Sequence, residues 1–191
     1  VTAQPPAAPR ARPTARRAIL DAAAHVVARQ GVAALTLEAV AREAGVSKGG
    51  LLYHFGTKEA LLQGLLAARL EAYEESLDRE VAGDPAGPGR WTRALVRTTF
   101  APAEPAAGIA ASLFAAFVAD PRLLEPARAR YAAWQARLAE DGIDPVRATL
   151  ARLAADGLYF AELFGLAPPA GTLRERVLEA LLALTTEAGA E

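Results

Sequence analysis

Cysteine and methionine are missing altogether from this chain of 191 residues, and histidine and serine are scarce, at two and three copies. Without cysteine there is no disulfide framework, no thiolate nucleophile and no Cys/His metal set, a usage that fits a cytoplasmic protein. The few histidines and serines, with no G-x-S-x-G elbow and no phosphate-cradling glycine loop, argue against an enzyme. No cofactor or metal is expected. Carboxylates are plentiful, but they stand beside arginines at helix-surface spacing, the pattern of a solvated face. No uncharged run approaches the ~20 apolar residues that cross a bilayer, so no membrane partner is expected. The Pro- and Arg-rich opening lacks a continuous apolar core and does not read as a secretory signal. Runs of β-branched residues are absent too, which disfavours strands.

What is present points to helices. Alanine, the best helix former, makes up about a quarter of the residues. The formal net charge is −1 but unevenly placed. Residues 1–63 carry eight basic and four acidic side chains, the remainder thirteen and eighteen. A basic head on an acidic body is the footprint of a protein that touches nucleic acid at one end. Arginine supplies nineteen of the twenty-one cations, and the two lysines, Lys48 and Lys58, fall inside one short stretch.

That stretch, Thr36 to Lys58 (TLEAVAREAGVSKGGLLYHFGTK), reads as two short helices, a tight turn between them, and the start of a third. Thr36 is a good N-cap, followed by an apolar face of Val40, Ala41 and Ala44. Gly45 can end that helix in a left-handed conformation, with Val46 as an apolar plug for the turn. Ser47 then caps a second helix with Leu51, Leu52 and Phe55 as its apolar positions. Small Ala41 and Gly45 let the two helices approach closely, as a helix-turn-helix requires. Ser47, Lys48, Gly49, Gly50 and Tyr53 remain on the open side, a small, polar and basic face suited to a DNA major groove.

With the preceding ARRAILDAAAHVVARQGVAALT, the stretch resembles the DNA-binding domain of the tetracycline-repressor (TetR) family of one-component regulators. The resemblance covers Thr14 to about Leu66. Its features fall in register: the Gly31 stop, Thr36, the AxxAGVSKG core, the aromatic-His-Phe run and the T-K-E restart. It implies an all-α protein, with a three-helix DNA-binding domain ahead of a larger helical ligand-binding and dimerisation domain. It implies Thr36 on phosphate, Ser47, Lys48, Gly49 and Gly50 towards bases and backbone, Tyr53 and His54 on the sugar-phosphate edge, and Lys58 on phosphate. It also implies a homodimeric repressor on a pseudo-palindromic double-stranded DNA operator, released when a small apolar or amphipathic inducer tilts helix four. One departure stands out. Many members have tyrosine directly after the first leucine of the recognition helix, whereas this chain has Leu52, so a common phosphate contact is missing or shifts to Tyr53.

In chain order, residues 1–13 hold four prolines and no apolar periodicity, so a flexible arm is expected. Arg10 and Arg12, with Arg16 and Arg17 just beyond, are candidates for phosphate or minor-groove contacts, a solvated tail being the alternative. Helix one, Thr14 to Gln30, should bury Ile19, Ala23, Val26 and Val27, leaving His25 a partly exposed helix residue rather than a ligand. The head is assigned to residues 14–56 and the second domain to 57–191. Thr57 should cap helix four, which continues through Leu61, Leu62, Leu65, Leu66, Leu70, Tyr73 and Leu77 to Val81 as the mechanical link. After the breaker-rich AGDPAGPGR, helices are expected at Trp91–Ala101 and Ala106–Ala119, then Asp120 to Glu140, interrupted or started late by Pro126. Two more should follow, Asp144 to Leu166 and Thr172 to Ala188.

Leu150, Leu153, Leu158, Ala161 and Phe164 on one of the last two helices, and Val177, Leu178, Leu181, Leu182 and Leu184 on the other, exceed what one subunit buries. In the resembled family these helices form a four-helix dimer interface; monomer core is the alternative. Trp91, Phe100, Phe114, Phe117, Tyr131, Trp134, Tyr159 and Phe160 gather most aromatics between helices four and eight. With Thr98, Thr99, Ser112 and Asp156 they either fill a core or line an apolar cavity with a few polar anchors. The other open reading is a DNA-binding regulator without a small ligand, controlled by a protein partner.

Overall fold

The computed structural model describes residues 14–101 and 107–186, and these are helical nearly throughout, with no strand among the described residues. The expected arm, with Arg10 and Arg12, lies outside them. The helices are α1 (Ala15–Gln30), α2 (Leu37–Ala44), α3 (Lys48–His54), α4 (Lys58–Gly83), α5 (Arg90–Phe100), α6 (Ala107–Ala119), α7 (Glu125–Ala139), α8 (Pro145–Phe164) and α9 (Gly171–Leu184).

The first four begin on one device. The side-chain oxygens of Thr14, Thr36, Ser47 and Thr57 each accept the N–H three residues ahead, at 3.1–3.3 Å, satisfying a donor that the helix cannot. Gly45 closes α2 at φ 65°, where a Cβ would be strained. Of the two forms expected for the helix from Asp120 to Glu140, the late start is the one found. Asp120 accepts the Arg122 N–H at 3.1 Å and tightens Pro121–Leu124 into a 3-10 turn, and Pro126 then sits in the first turn of α7.

The head packs Ile19, Val26 and Val27 of α1 against Val40 of α2, Leu51 and Phe55 around α3, and Leu61, Leu62, Leu65 and Leu66 of α4. A Cβ on Gly64 would lie 2.8 Å from the Phe55 ring, so this glycine lets α4 settle onto the head. The head core does not stop at residue 56. Leu113 and Phe117 of α6 and Leu123 of the 3-10 turn belong to the same cluster.

The body has two further clusters. Leu77, Trp91, Leu95, Trp134 and Leu138 join α4, α5 and α7, while Val96, Phe100, Leu158 and Leu181 join α5, α8 and α9. A charged clamp closes the far end. The buried Asp84 carboxylate receives Arg93 at 2.7 Å and Arg97, and Arg93 also donates to the carbonyls of Pro88 and Thr185. The Arg93 guanidinium holds the Asp84 carboxyl below the usual carboxylate range against its burial.

Candidate nucleic-acid interface

Successive residues of α3 turn by about 100°, so Leu51 and the C-cap Phe55 share the inward face while Gly49 and Tyr53 point away from it. Leu51 and Phe55 are buried accordingly, and Tyr53 is 86% exposed, its ring edge-on to His54. Leu52, expected among the apolar positions of the helix, is instead 41% exposed beside Tyr53. A Cβ on Gly49 would meet nothing within 4 Å, so packing inside this chain does not require glycine there. Glycine costs ~0.5–1 kcal/mol against alanine in a helix, and that cost has no return inside the subunit. The bare backbone is a feature of the outer face.

The remaining head residues are held in stated positions. Thr36 and Ser47 serve as caps at the mouths of α2 and α3 and are both exposed. Lys48 projects from the first turn of α3 to Glu38 of α2 at 2.7 Å, and the lysine holds the Glu38 carboxyl below its ordinary range. Both partners are well exposed, so this pair is weak and open to exchange for phosphate. Lys58 donates to the Val32 carbonyl at 2.9 Å, which occupies one of its three protons. Arg16 and Arg17, grouped with the arm as candidate DNA contacts, sit in the first turn of α1. Arg16 lies 5.3 Å over the Phe55 ring and Arg17 pairs with Asp21 at 3.0 Å. Two cations against the positive end of a helix oppose its dipole, which favours an anion nearby.

The body residues need more correction. The aromatic set does not line one cavity. Phe117 fills the head core, and Phe100 packs with Leu158 and Leu181. Phe114 packs edge-on against Phe160 and Phe164 at 5.8 and 5.0 Å, and Tyr159 meets Phe160 in the same manner at 5.7 Å. What stays together is Tyr131, Trp134 and Asp156, joined by Tyr73 and Thr99. Tyr131 Oη donates to Asp156 at 3.3 Å, Tyr73 Oη and Thr99 Oγ1 are 3.1 Å apart, and Trp134 lies between the two tyrosine rings at 5.4 and 4.9 Å. Burial pushes the Tyr73 hydroxyl up to about 12 and raises the Asp156 carboxyl, the latter opposed by Arg152 at 2.7 Å. A separate open groove of about 560 Å³ lies at the far end, lined by Trp91, Pro88, Arg90 and Arg137 among others.

On α8 the expected single face divides in two. Ala148, Ala151, Ala155 and Leu158 are buried, whereas Val146, Leu150, Leu153, Phe160 and Phe164 are exposed about half a turn away. Leu158 and Leu181, expected at a subunit interface, are therefore core of their own subunit. Val177, Leu178 and Leu182 are partly buried against that core, and Ala161 is half-buried. The exposed stripe is legible as 146, 150, 153, 160 and 164, a spacing that Leu158 and Ala161 break.

A helix-turn-helix on a basic head, with its second helix clear of the body, defines a DNA-binding regulator. Residues 19–65 match the family model "Bacterial regulatory proteins, tetR family", and residues 89–186 match "Tetracyclin repressor-like, C-terminal domain". The chain belongs to the TetR family and is not an enzyme. It shares 44% identity over 59 residues with the HTH-type transcriptional regulator SrpR of Pseudomonas putida, 31% of this chain and 28% of that one. With the HTH-type transcriptional regulator BetI of Rhizobium meliloti (strain 1021) it shares 34% over 88 residues, 46% and 43% of the two chains. These matches span under half of either relative. Likeness over the whole chain is structural. SCO7518 of Streptomyces coelicolor A3(2), at 22% identity, has a TM-score of 0.72 over 92% of this chain and all of that one. The multidrug binding protein EbrR, solved in complex with malachite green, has a TM-score of 0.68 at 27% identity over 92% of this chain and 100% of its own.

Proposed function

We propose that the protein is a homodimeric repressor that binds a pseudo-palindromic operator and is released by a small aromatic or amphipathic ligand. The observation that carries the DNA reading is the outer face of α3, bare at Gly49 and Gly50 and presenting Lys48, Leu52 and Tyr53. A helix so stripped can lie close to a groove floor, with Thr36, His54 and Lys58 placed for the flanking phosphates. The exposed α8 stripe, with Leu173 of α9, supports a two-fold interface that would set two heads one helical turn apart on DNA. Tyr73, Tyr131, Trp134 and Asp156 support the ligand reading, strengthened by EbrR's complexes with malachite green and ethidium. These residues span α4, α7 and α8, so a ligand parting them would displace α4 and with it the head.

Selecting bound duplexes from a random library tests the DNA reading, and a palindromic consensus with two subunits per duplex is expected. Enrichment of no sequence would end it. A thermal-shift screen of aromatic cations and lipophilic compounds tests the ligand reading, since a molecule that binds only the native state raises Tm. The direct bonds within the tyrosine cluster favour a second reading, a body without a small ligand that answers to a protein partner. An empty screen would leave that one standing.

A further inference from the structure

We infer that Leu52 is a specificity residue that reads the 5-methyl group of a thymine in each half-site. The inference rests on the DNA-binding reading and refines it. Among the described residues of the head, the large hydrophobic side chains left exposed are Leu52 and Tyr53, both on α3. Tyr53 has a hydroxyl to offer a phosphate. Leu52 has none.

Leu52 lies one turn beyond Lys48 on the same flank of the helix, while Leu51 and Phe55 supply the inward anchors. Leu52 itself stands outside the apolar cluster of the head. DNA offers an exposed aliphatic side chain little to contact. Phosphates are charged and the minor-groove edges are polar, whereas the major groove presents one compact apolar group, the thymine methyl. Leucine is short for that task, and the bare backbone at Gly49, which neighbours Leu52 around the helix, answers the shortfall by allowing the helix to approach. Lys48, four residues earlier, supplies the polar half of the readout when Glu38 releases it.

The experiment uses the full chain and the duplex it selects. Each thymidine of that duplex is replaced in turn by deoxyuridine, which removes only the methyl group. Binding of wild type and Leu52→Ala is then measured by fluorescence anisotropy. One thymidine per half-site is expected at which deoxyuridine weakens wild-type binding about fivefold, the scale of one buried methyl contact. Leu52→Ala should bind the two duplexes equally and lose its preference for thymine over cytosine at that position. Leu52→Met, which keeps an apolar reach, should retain part of the discrimination. The inference is overturned if wild type is indifferent to deoxyuridine throughout, or if Leu52→Ala keeps the full penalty. Uniform weakening of Leu52→Ala with no methyl effect in wild type would mean a sugar contact and would overturn it equally. Selection of no duplex at all would instead strike the DNA-binding reading itself.

Discussion

At the scale of single residues, Gly49 separates what folding asks from what binding asks. No atom lies within 4 Å of the Cβ it lacks, so Gly49→Ala meets no obstacle in the free protein. The substitution should stabilise α3 by ~0.5–1 kcal/mol and raise Tm by ~1–4 °C. Its methyl group would stand between helix and groove, so operator affinity should fall about tenfold. Calorimetry beside an operator titration checks both signs, and a variant improved in both would remove Gly49 from the interface. Lys58 poses the converse question, because it has a structural partner in the Val32 carbonyl. If it also meets phosphate, Lys58→Ala should lower the salt slope of operator binding by ~1 per subunit, ~2 for a dimer. A loss of stability with an unaltered slope would make it a strut alone.

At the scale of elements, the exposed stripe of α8 is where the proposed assembly can be tested. Leu150 and Leu153 are 51% and 52% exposed on one stripe, so charge placed there meets water in a single subunit and a seam in a dimer. Leu150→Glu with Leu153→Glu should give helical monomers of near-normal Tm that lose tight operator binding, since the two half-sites are no longer engaged together. Sedimentation velocity checks this, and a wild-type monomer at micromolar concentration would exclude the interface. The Asp84 clamp joins the ends of α4, α5 and α9. Its carboxyl is held below the ordinary range in the folded state. Its contribution is therefore full above the unfolded carboxyl pKa of ~3.9 and is lost as pH falls through the lower folded value. Asp84→Asn leaves two arginines without their anion and should cost ~3–5 kcal/mol at neutral pH, with a shallower loss of stability on acidification. Denaturant melts of both proteins at pH 7 and at about pH 2, below the ordinary carboxylate range, check the sign.

The caps and the turn were readable because their signals are local: a hydroxyl before an apolar run, and a glycine where φ turns positive. The orientation of α8 was not. Periodicity marks apolar residues without saying which face is inward, and here the smaller residues won. Ala148, Ala151 and Ala155 are buried, while bulkier Leu150 and Leu153 stay outside. The pairing of Lys48 with Glu38 across ten residues, and of Tyr131 with Asp156 across twenty-five, depends on helix packing that no short window contains. Phe117 looked like a pocket residue because it lies among aromatics in sequence, yet its spatial neighbours are those of the head.

At the scale of the whole molecule, head and body share a core. α4 has 26 residues, about 39 Å at 1.5 Å per residue, and roughly 5° of tilt moves its end by roughly 3 Å. That displacement is close to one base-pair step. The contact of α6 with the head offers a second route for the same motion, through Leu113 and Phe117. Phe117→Ala should cost ~3–5 kcal/mol. It should shift operator affinity and inducer response together, because the side chain supports the head rather than a ligand. A variant with normal operator affinity and a need for far more inducer would return Phe117 to the pocket.

The shared core also bears on how freely such proteins can be recombined. A head cut out at residue 56 lacks Leu61, Leu62, Leu65 and Leu66, and one cut at residue 83 still lacks Leu113, Phe117 and Leu123. Either fragment would carry an open apolar hollow and tend to aggregate. To move the proposed operator choice onto another body, a chimera has to import α1 to α4 with the facing turn of α6, or match those three side chains in volume. The transferable cassette is discontinuous in sequence.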